Sequence, residues 1–142
     1  MRTVNDILRE KGSTALSVKP TDTVLDALGV MAEHDVGAVL VQEGDKLVGI
    51  LTERDYARKV VLAGRSSKDS QIKDIMTTRV MCVAPDRAID ECMALMTDKR
   101  CRHLPVLDHK LVVGIVSIGD LVKATIAEQE FTITQLQSYI AG

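Results

Sequence analysis

Apolar and polar positions follow the same order twice along the chain. In the first half a short apolar segment ends at Pro20, and a helical stripe of Val24, Leu28 and Met31 follows. Two apolar runs, 38–41 and 47–51, then flank the polar turn Glu43-Gly44-Asp45-Lys46. In the second half the segment ends at Pro85 and the stripe is Ile89, Met93 and Met96; the runs 103–107 and 111–116 flank Asp108-His109-Lys110. The i, i+4, i+7 spacing is the inward stripe of an amphipathic helix. The runs are too evenly apolar for a half-exposed strand and predict strands covered on both faces or nearly so. A further helix is expected to begin near Glu53 and near Ile118. Each half therefore reads β-α-β-β-α, and the fold class is α/β.

The two copies align without gaps at an offset of 65: Pro20 with Pro85, Gly49 with Gly114, Asp55 with Asp120. Few letters are identical (Val18/Val83, Met31/Met96, Val41/Val106 and the Val-Gly-Ile runs 48–50/113–115 among them), but the physical pattern repeats throughout. A unit of about 60 residues is marginal alone, and two copies solve that by packing their sheets together. The expected units are 10–64 and 74–128, joined by the turn-rich linker Gly64-Arg65-Ser66-Ser67-Lys68-Asp69-Ser70. A short helix near Val4–Arg9 precedes the first copy, and Ile72–Met76 echoes it before the second. The extension 126–142 has no counterpart in copy one. Within it Thr132-x-x-Gln135 reads as a capping box, with Phe131 and Leu136 as a hydrophobic staple. A short helix with Ile133, Leu136 and Ile140 on one stripe is expected to follow, and so short a helix must pack on something.

Composition narrows the function. The formal charge of the 142 residues is −2, and aromatics are confined to Tyr56, Phe131 and Tyr139. A nucleic-acid partner calls for a basic face and often for aromatic platforms, so none is expected. The N-terminus lacks the apolar run of a signal peptide, and no stretch of about 18 apolar residues exists to span a membrane. Cys82, Cys92 and Cys101 are odd in number and form no CxxC pair, which argues for reduced thiols and a cytoplasmic location rather than disulfides or zinc. His34 and His109 sit in no metal-ligand cluster. Cys101 stands between Arg100 and Arg102 with His103 nearby, and basic neighbours lower a thiol pKa. No acidic third member or oxyanion arrangement accompanies it, so a non-enzymatic role is expected.

Thr52-x-x-Asp55 and Ser117-x-x-Asp120 fall where a strand becomes a helix. Each is first a capping box, with the hydroxyl on the helix N-terminus and the carboxylate reaching back. The same geometry also presents two acceptor oxygens, which suit two ribose hydroxyls. Taken in order with Gly49-Ile50-Leu51-Thr52-Glu53-Arg54-Asp55, Gly114-Ile115-Val116-Ser117-Ile118-Gly119-Asp120 and the strand Arg102-His103-Leu104-Pro105-Val106, the chain resembles a pair of CBS domains over residues 3–125. That resemblance implies one Bateman module of tandem β-α-β-β-α repeats, here with a short C-terminal helix. It implies an adenosine-containing ligand in clefts between the repeats, and a regulatory role on a separate protein.

By the same resemblance each cleft joins the Asp motif of one copy to the first two strands of the other. Asp55, with Thr52 and Arg54, is then completed by Val80 and Met81 beside adenine, and by Arg102, His103 and the Pro105 strand near phosphate. Asp120, with Ser117, is completed by Ala15, Leu16, Gly37 and Ala38. Arg pairs with phosphate oxygens whereas Gly and Ala offer only backbone, so the Asp55 cleft is expected to be the better phosphate site. Arg54, Arg58 and Lys59 otherwise read as a solvated helix face. The expected ligand is an adenine nucleotide, AMP first, with NAD(H) and ATP as the other candidates and no obligatory cofactor. A homodimer is expected. The rival reading is a ligand-independent adaptor for protein interaction and dimerisation.

Overall fold

The computed structural model describes residues 2–13 and 15–141. Helix α1 (Val4–Lys11) precedes the first repeat, which comprises β1 (Ser17–Val18), α2 (Val24–His34), β2 (Ala38–Glu43), β3 (Lys46–Thr52) and α3 (Glu53–Asp55). Helix α3 runs on into wide π-helical turns over Tyr56–Val61. A 3₁₀ turn, Ile72–Asp74, precedes the second repeat of α4 (Ile89–Lys99), β4 (His103–Asp108), β5 (Leu111–Ser117) and α5 (Ile118–Ala141).

The predicted helices form where expected, but their fully buried stripes run through Ala27 and Cys92, while Leu28 and Met93 are only partly buried. Helix α2 starts at a Thr23–Asp26 capping box and buries Val24, Ala27 and Met31; α4 buries Ile89, Cys92 and Met96 in the same register. Both helices stop at a residue in the left-handed region, Asp35 (φ 52°) and Arg100 (φ 54°), again 65 apart. Strand β2 pairs parallel with β1 and antiparallel with β3, while β4 and β5 form the matching antiparallel pair. Val83 sits beside Val106 in a single parallel bridge where β1 would have its counterpart. Both hairpins shift register at equivalent points, Val41/Gln42 and Val106/Leu107.

The continuous apolar runs are explained by burial on two sides. Val39, Val41 and Leu51 face the helices of their own repeat, whereas Ala38, Leu40 and Ile50 meet Val112 and Ile115 of the other. That second cluster is the seam between the two sheets.

The segments that lead into each repeat pack on the opposite repeat. Val4, Ile7 and Leu8 of α1 join the core of Val83, Leu104, Val116 and Leu121. Ile72 and Ile75 join the core of Val24, Val39 and Leu51. Backbone hydrogen bonds fix both exchanges: the Val4 amide donates to the Arg87 carbonyl, and the Ile72 amide to the Asp22 carbonyl. The glycines shared by the copies make room for this. A Cβ on Gly114 would lie 2.6 Å from Leu8 Cδ2, and one on Gly49 would lie 2.6 Å from Met76 Sδ and 3.0 Å from the Thr77 carbonyl oxygen.

The C-terminal helix is present but differs in kind from the expected one. It is no separate short helix: α5 runs unbroken for 24 residues from the second repeat. Thr132 lies inside it and its hydroxyl donates back to the Glu128 carbonyl, so it caps nothing. The sequence around 126–131 holds no Gly or Pro to stop a helix, so it continues through the expected cap.

Because Gly49 faces the backbone of Thr77 as well as a side chain, Gly49→Val should cost about 1–3 kcal/mol through overpacking. Urea denaturation measures this directly. A loss below about 0.5 kcal/mol, within the ordinary range for an uninvolved surface site, would mean that the exchanged segment yields freely.

Candidate functional site

The two aspartates share a local motif and differ in their surroundings. Each starts its helix in the same manner. The Asp55 carboxylate accepts from the Thr52 amide (3.0 Å) and hydroxyl (3.1 Å), and the Asp120 carboxylate from the Ser117 amide (2.8 Å). The helix amides of Asp55 and Asp120 donate in return to Thr52 Oγ1 and Ser117 Oγ.

Beyond the cap, Asp55 is fully engaged by protein. Its side chain is 9% exposed, and its second oxygen, Oδ1, accepts from Thr77 Oγ1 (3.1 Å) and pairs with Lys59 Nζ (3.0 Å). Lys59 also donates to the Ile75 carbonyl (2.9 Å). Lys59, read from sequence as part of a solvated face, instead ties Asp55 to the exchanged segment.

Asp120 stays half-buried, with 25% of its side chain exposed, at the wall of a cavity of about 370 Å³. Its Oδ2 also accepts from Lys11 Nζ at 2.8 Å, and the same ammonium donates to the Ile115 carbonyl at 2.8 Å. Oδ1 has no hydrogen-bond partner among the described residues. Leu16, Val36, Gly37, Ala38 and Ile115 supply an apolar and backbone wall; Asp35, His103 and Ser117 complete it.

These positions regroup the expected site. Leu16, Gly37, Ala38, Ser117 and Asp120 line one cavity, and Ala15 is not part of its lining. His103, expected beside Asp55, lines the Asp120 cavity instead. The physical reason is the crossing of the strand starts at the seam: a Cβ on Gly37 would lie 3.7 Å from His103 Cε1 and 2.9 Å from Glu53 Oε1. The small Gly37 and Ala38 leave the space into which the imidazole faces. Thr52 and Asp55 meet each other, but Ala15 and Val80 pack into the seam between the sheets. Pro105 is buried in β4. Arg54, Met81 and Arg102 are exposed, and Arg102 makes no side-chain hydrogen bond or ion pair among the described residues. The sequence assigns no site role to Lys11, Asp35, Val36, Ile115 or Thr77. Only Lys59 carried a local signal, standing four residues after Asp55 on a helix. Lys11 and Thr77 reach their carboxylates through the exchange of leading segments, which leaves no short-range trace.

Electrostatics follow the geometry. Burial pushes the Asp120 carboxyl up, but the hydrogen bonds from Lys11 and Ser117 outweigh it and hold the carboxyl below its ordinary value. Burial pushes the His103 imidazole below 6.5, against the opposing pull of Asp120 and Glu53 and with help from Lys11 and Arg102. The Cys101 thiol is raised by burial, as are those of Cys82 and Cys92, so the basic neighbours of Cys101 do not activate it. No group of three His, Cys, Asp or Glu residues suited to a metal ion occurs among the described residues.

Two β-α-β-β-α repeats with exchanged leading segments and a polar-ended cavity at their seam form the architecture of a tandem-repeat α/β module. The CBS domain model matches residues 3–62 and 72–127, and the chain belongs to that family. It is 43% identical to the mitochondrial CBS domain-containing protein CBSX3 of Arabidopsis thaliana, over 99% of this chain and 72% of that protein. A putative signal-transduction protein with CBS domains from Burkholderia ambifaria is 54% identical, with a TM-score of 0.87 over 90% of this chain and 96% of the other. The CBS domain pair of protein MJ0100, solved with 5′-methylthioadenosine and S-adenosyl-L-methionine, is 26% identical, with a TM-score of 0.78 over 90% and 98% of the two chains. CBS pairs generally bind adenosine ligands and regulate, and stand-alone ones are generally regulatory rather than catalytic. Among the described residues no helix is long and apolar enough to cross a membrane.

The depressed pKa of His103 sets the sign of a pH effect. As pH falls below 6.5 the unfolded chain takes up the proton first, so stability present above that pH is lost on acidification. Wild type should therefore lose more stability than His103→Gln between pH 7.5 and 5.5 in urea titrations. Equal losses would show that His103 is not held neutral by the fold.

Proposed function

We propose that this protein is a non-catalytic sensor that binds an adenine nucleotide at the Asp120 cavity and regulates a separate protein. The observation that carries the reading is the state of the two carboxylates. Asp120 stands at a cavity within the roughly 300–1,000 Å³ range of small-molecule sites, while both Asp55 oxygens are already committed to protein donors. A carboxylate at a helix start accepts two hydroxyls of a ribose, and the apolar wall of Leu16, Val36 and Ile115 suits a purine. The structural likeness to a CBS pair bound to two adenosine derivatives supports the same class of ligand. AMP is the first candidate, with NAD(H) and ATP behind it. The free thiols support a reducing compartment, of which the cytoplasm is one.

A ligand that binds only the native state stabilises by RT ln(1 + [L]/Kd), about 2.7 kcal/mol at a hundredfold excess over Kd. AMP should raise the melting temperature of the wild type saturably, and Asp120→Ala should abolish that rise. Asp55→Ala should instead lower stability without ligand, since its charge-assisted bonds are worth about 1.5–3 kcal/mol each. Differential scanning calorimetry separates the two effects. No shift with AMP, ATP or NAD at millimolar concentration would overturn the sensor reading, and a full AMP shift in Asp120→Ala would move the site to Asp55.

A homodimer is part of the same proposal, and α5 supports it. Val122, Ile126, Ile133, Leu136 and Ile140 are 40–82% exposed, in a stripe that Gln129 completes at spacings of four and three. That is a heptad seam with Ile at three successive a positions and Val, Gln and Leu at d, a pattern that favours two parallel strands. The flanking e and g positions are Lys123, Thr125, Glu130, Thr132, Gln137 and Tyr139, and in a parallel pair Thr125 meets Glu130 and Thr132 meets Gln137, so no like charges are brought together. The adaptor reading rests on the same stripe and differs only in dispensing with the nucleotide. Sedimentation should show a dimer for the intact chain and a monomer for Ile133→Asp/Leu136→Asp. A monomeric wild type overturns the dimer, and a variant that stays dimeric overturns the role of α5.

A further inference from the structure

Lys11 ends α1, outside the repeat proper, yet its ammonium reaches 2.8 Å from Asp120 Oδ2 and 2.8 Å from the Ile115 carbonyl oxygen. Its side chain is 34% exposed on the wall of the cavity. Among the described lining residues it is the one cation at neutral pH, because burial keeps His103 neutral. Asp35 and Asp120 line the same wall, and Glu53 stands against Gly37 at its edge. Without Lys11 the wall would hold carboxylates and no fixed positive charge.

We propose that Lys11 makes this cavity select a phosphorylated nucleoside over the neutral nucleoside. The inference rests on the reading that an adenosine-type ligand binds beside Asp120. A ribose that engages both oxygens of Asp120 must take Oδ2 from Lys11. A neutral nucleoside offers the ammonium no anionic replacement and leaves it the Ile115 carbonyl as its protein partner, and a partly buried cation that loses its counter-charge is destabilised. A phosphate group supplies that replacement: an ammonium has three donors, and its bonds to phosphate oxygens are charge-assisted. Asp120 and Lys11 thus exchange each other for the two halves of a nucleotide, the diol and the phosphate. The same exchange loosens the tie between α1 and the start of α5, so the state of charge of the ligand reaches the C-terminal helix.

Titration calorimetry of the full chain at pH 7.5 with AMP and with adenosine tests this. Wild type should prefer AMP by at least about tenfold, and Lys11→Met should shrink that preference at least about tenfold by weakening AMP while leaving adenosine equal or tighter. Lys11→Arg, which keeps the charge, should retain the preference within about threefold. In wild type the Lys11 Cε resonance should move with both ligands but to different positions, an ammonium paired with phosphate for AMP and one without an anionic partner for adenosine, a readout that needs no variant; the same position with both overturns the inference. An unchanged AMP-to-adenosine ratio in Lys11→Met, or a Lys11 signal indifferent to both ligands that bind, overturns the inference and leaves the sensor reading standing. A wild type that binds neither ligand overturns the sensor reading itself, and the role of Lys11 falls with it.

Discussion

The structure depends on an exchange: the segment that leads into each repeat is packed against the other. Leu8 sits over Gly114 and Met76 over Gly49, at distances a β-carbon would not allow. Each repeat alone would lack one wall of its core, with Ile7 and Leu8 gone from the second and Ile72 and Ile75 gone from the first. Neither half can therefore complete its burial without the other, and the marginal size of a single unit is met by mutual dependence as well as by the seam between sheets. The backbone bonds from Val4 to Arg87 and from Ile72 to Asp22 make the exchange directional as well as apolar.

The exchange also decides the chemistry of the cavity. It carries Lys11 to Asp120 on one side, and Thr77 and the carbonyl of Ile75 to Asp55 and Lys59 on the other. Near-twofold repetition of the fold thereby yields two unlike carboxylates. One is sealed by protein donors. The other remains at a cavity, held beyond its own cap by one ammonium, that of Lys11. Gly37 and Ala38 add to the difference, since their bulk is too small to fill the space before His103.

Helix α5 connects this site to the surface. It begins at the Ser117–Asp120 cap, buries Leu121 and Ala124 in the second core, and then leaves the module with its apolar stripe uncovered. The same residue that lines the cavity thus caps the helix whose far end is free to meet another chain. Without Gly or Pro after Gly119 the helix runs continuously from the cavity to its exposed end.

The sequence by itself determined the duplication, the order of elements, the helix stripes, the strand runs and the two capping aspartates. These follow from periodicity and from contacts within a few residues, as with Val24 and Met31 or Thr52 and Asp55, although the stripe passes through Ala27 rather than the expected Leu28. Its grouping of His103 with Asp55, and its stop for a helix at Thr132, did not survive folding. The first depended on how two sheets cross at Gly37, and the second on whether α5 had any reason to end. Tertiary structure alone decided which carboxylate keeps a cavity, because that choice belongs to Lys11 and Thr77. Both come from segments far away in sequence, and both act through electrostatics and hydrogen bonds across the exchange. Identical local motifs carry no record of which distant donor will reach them.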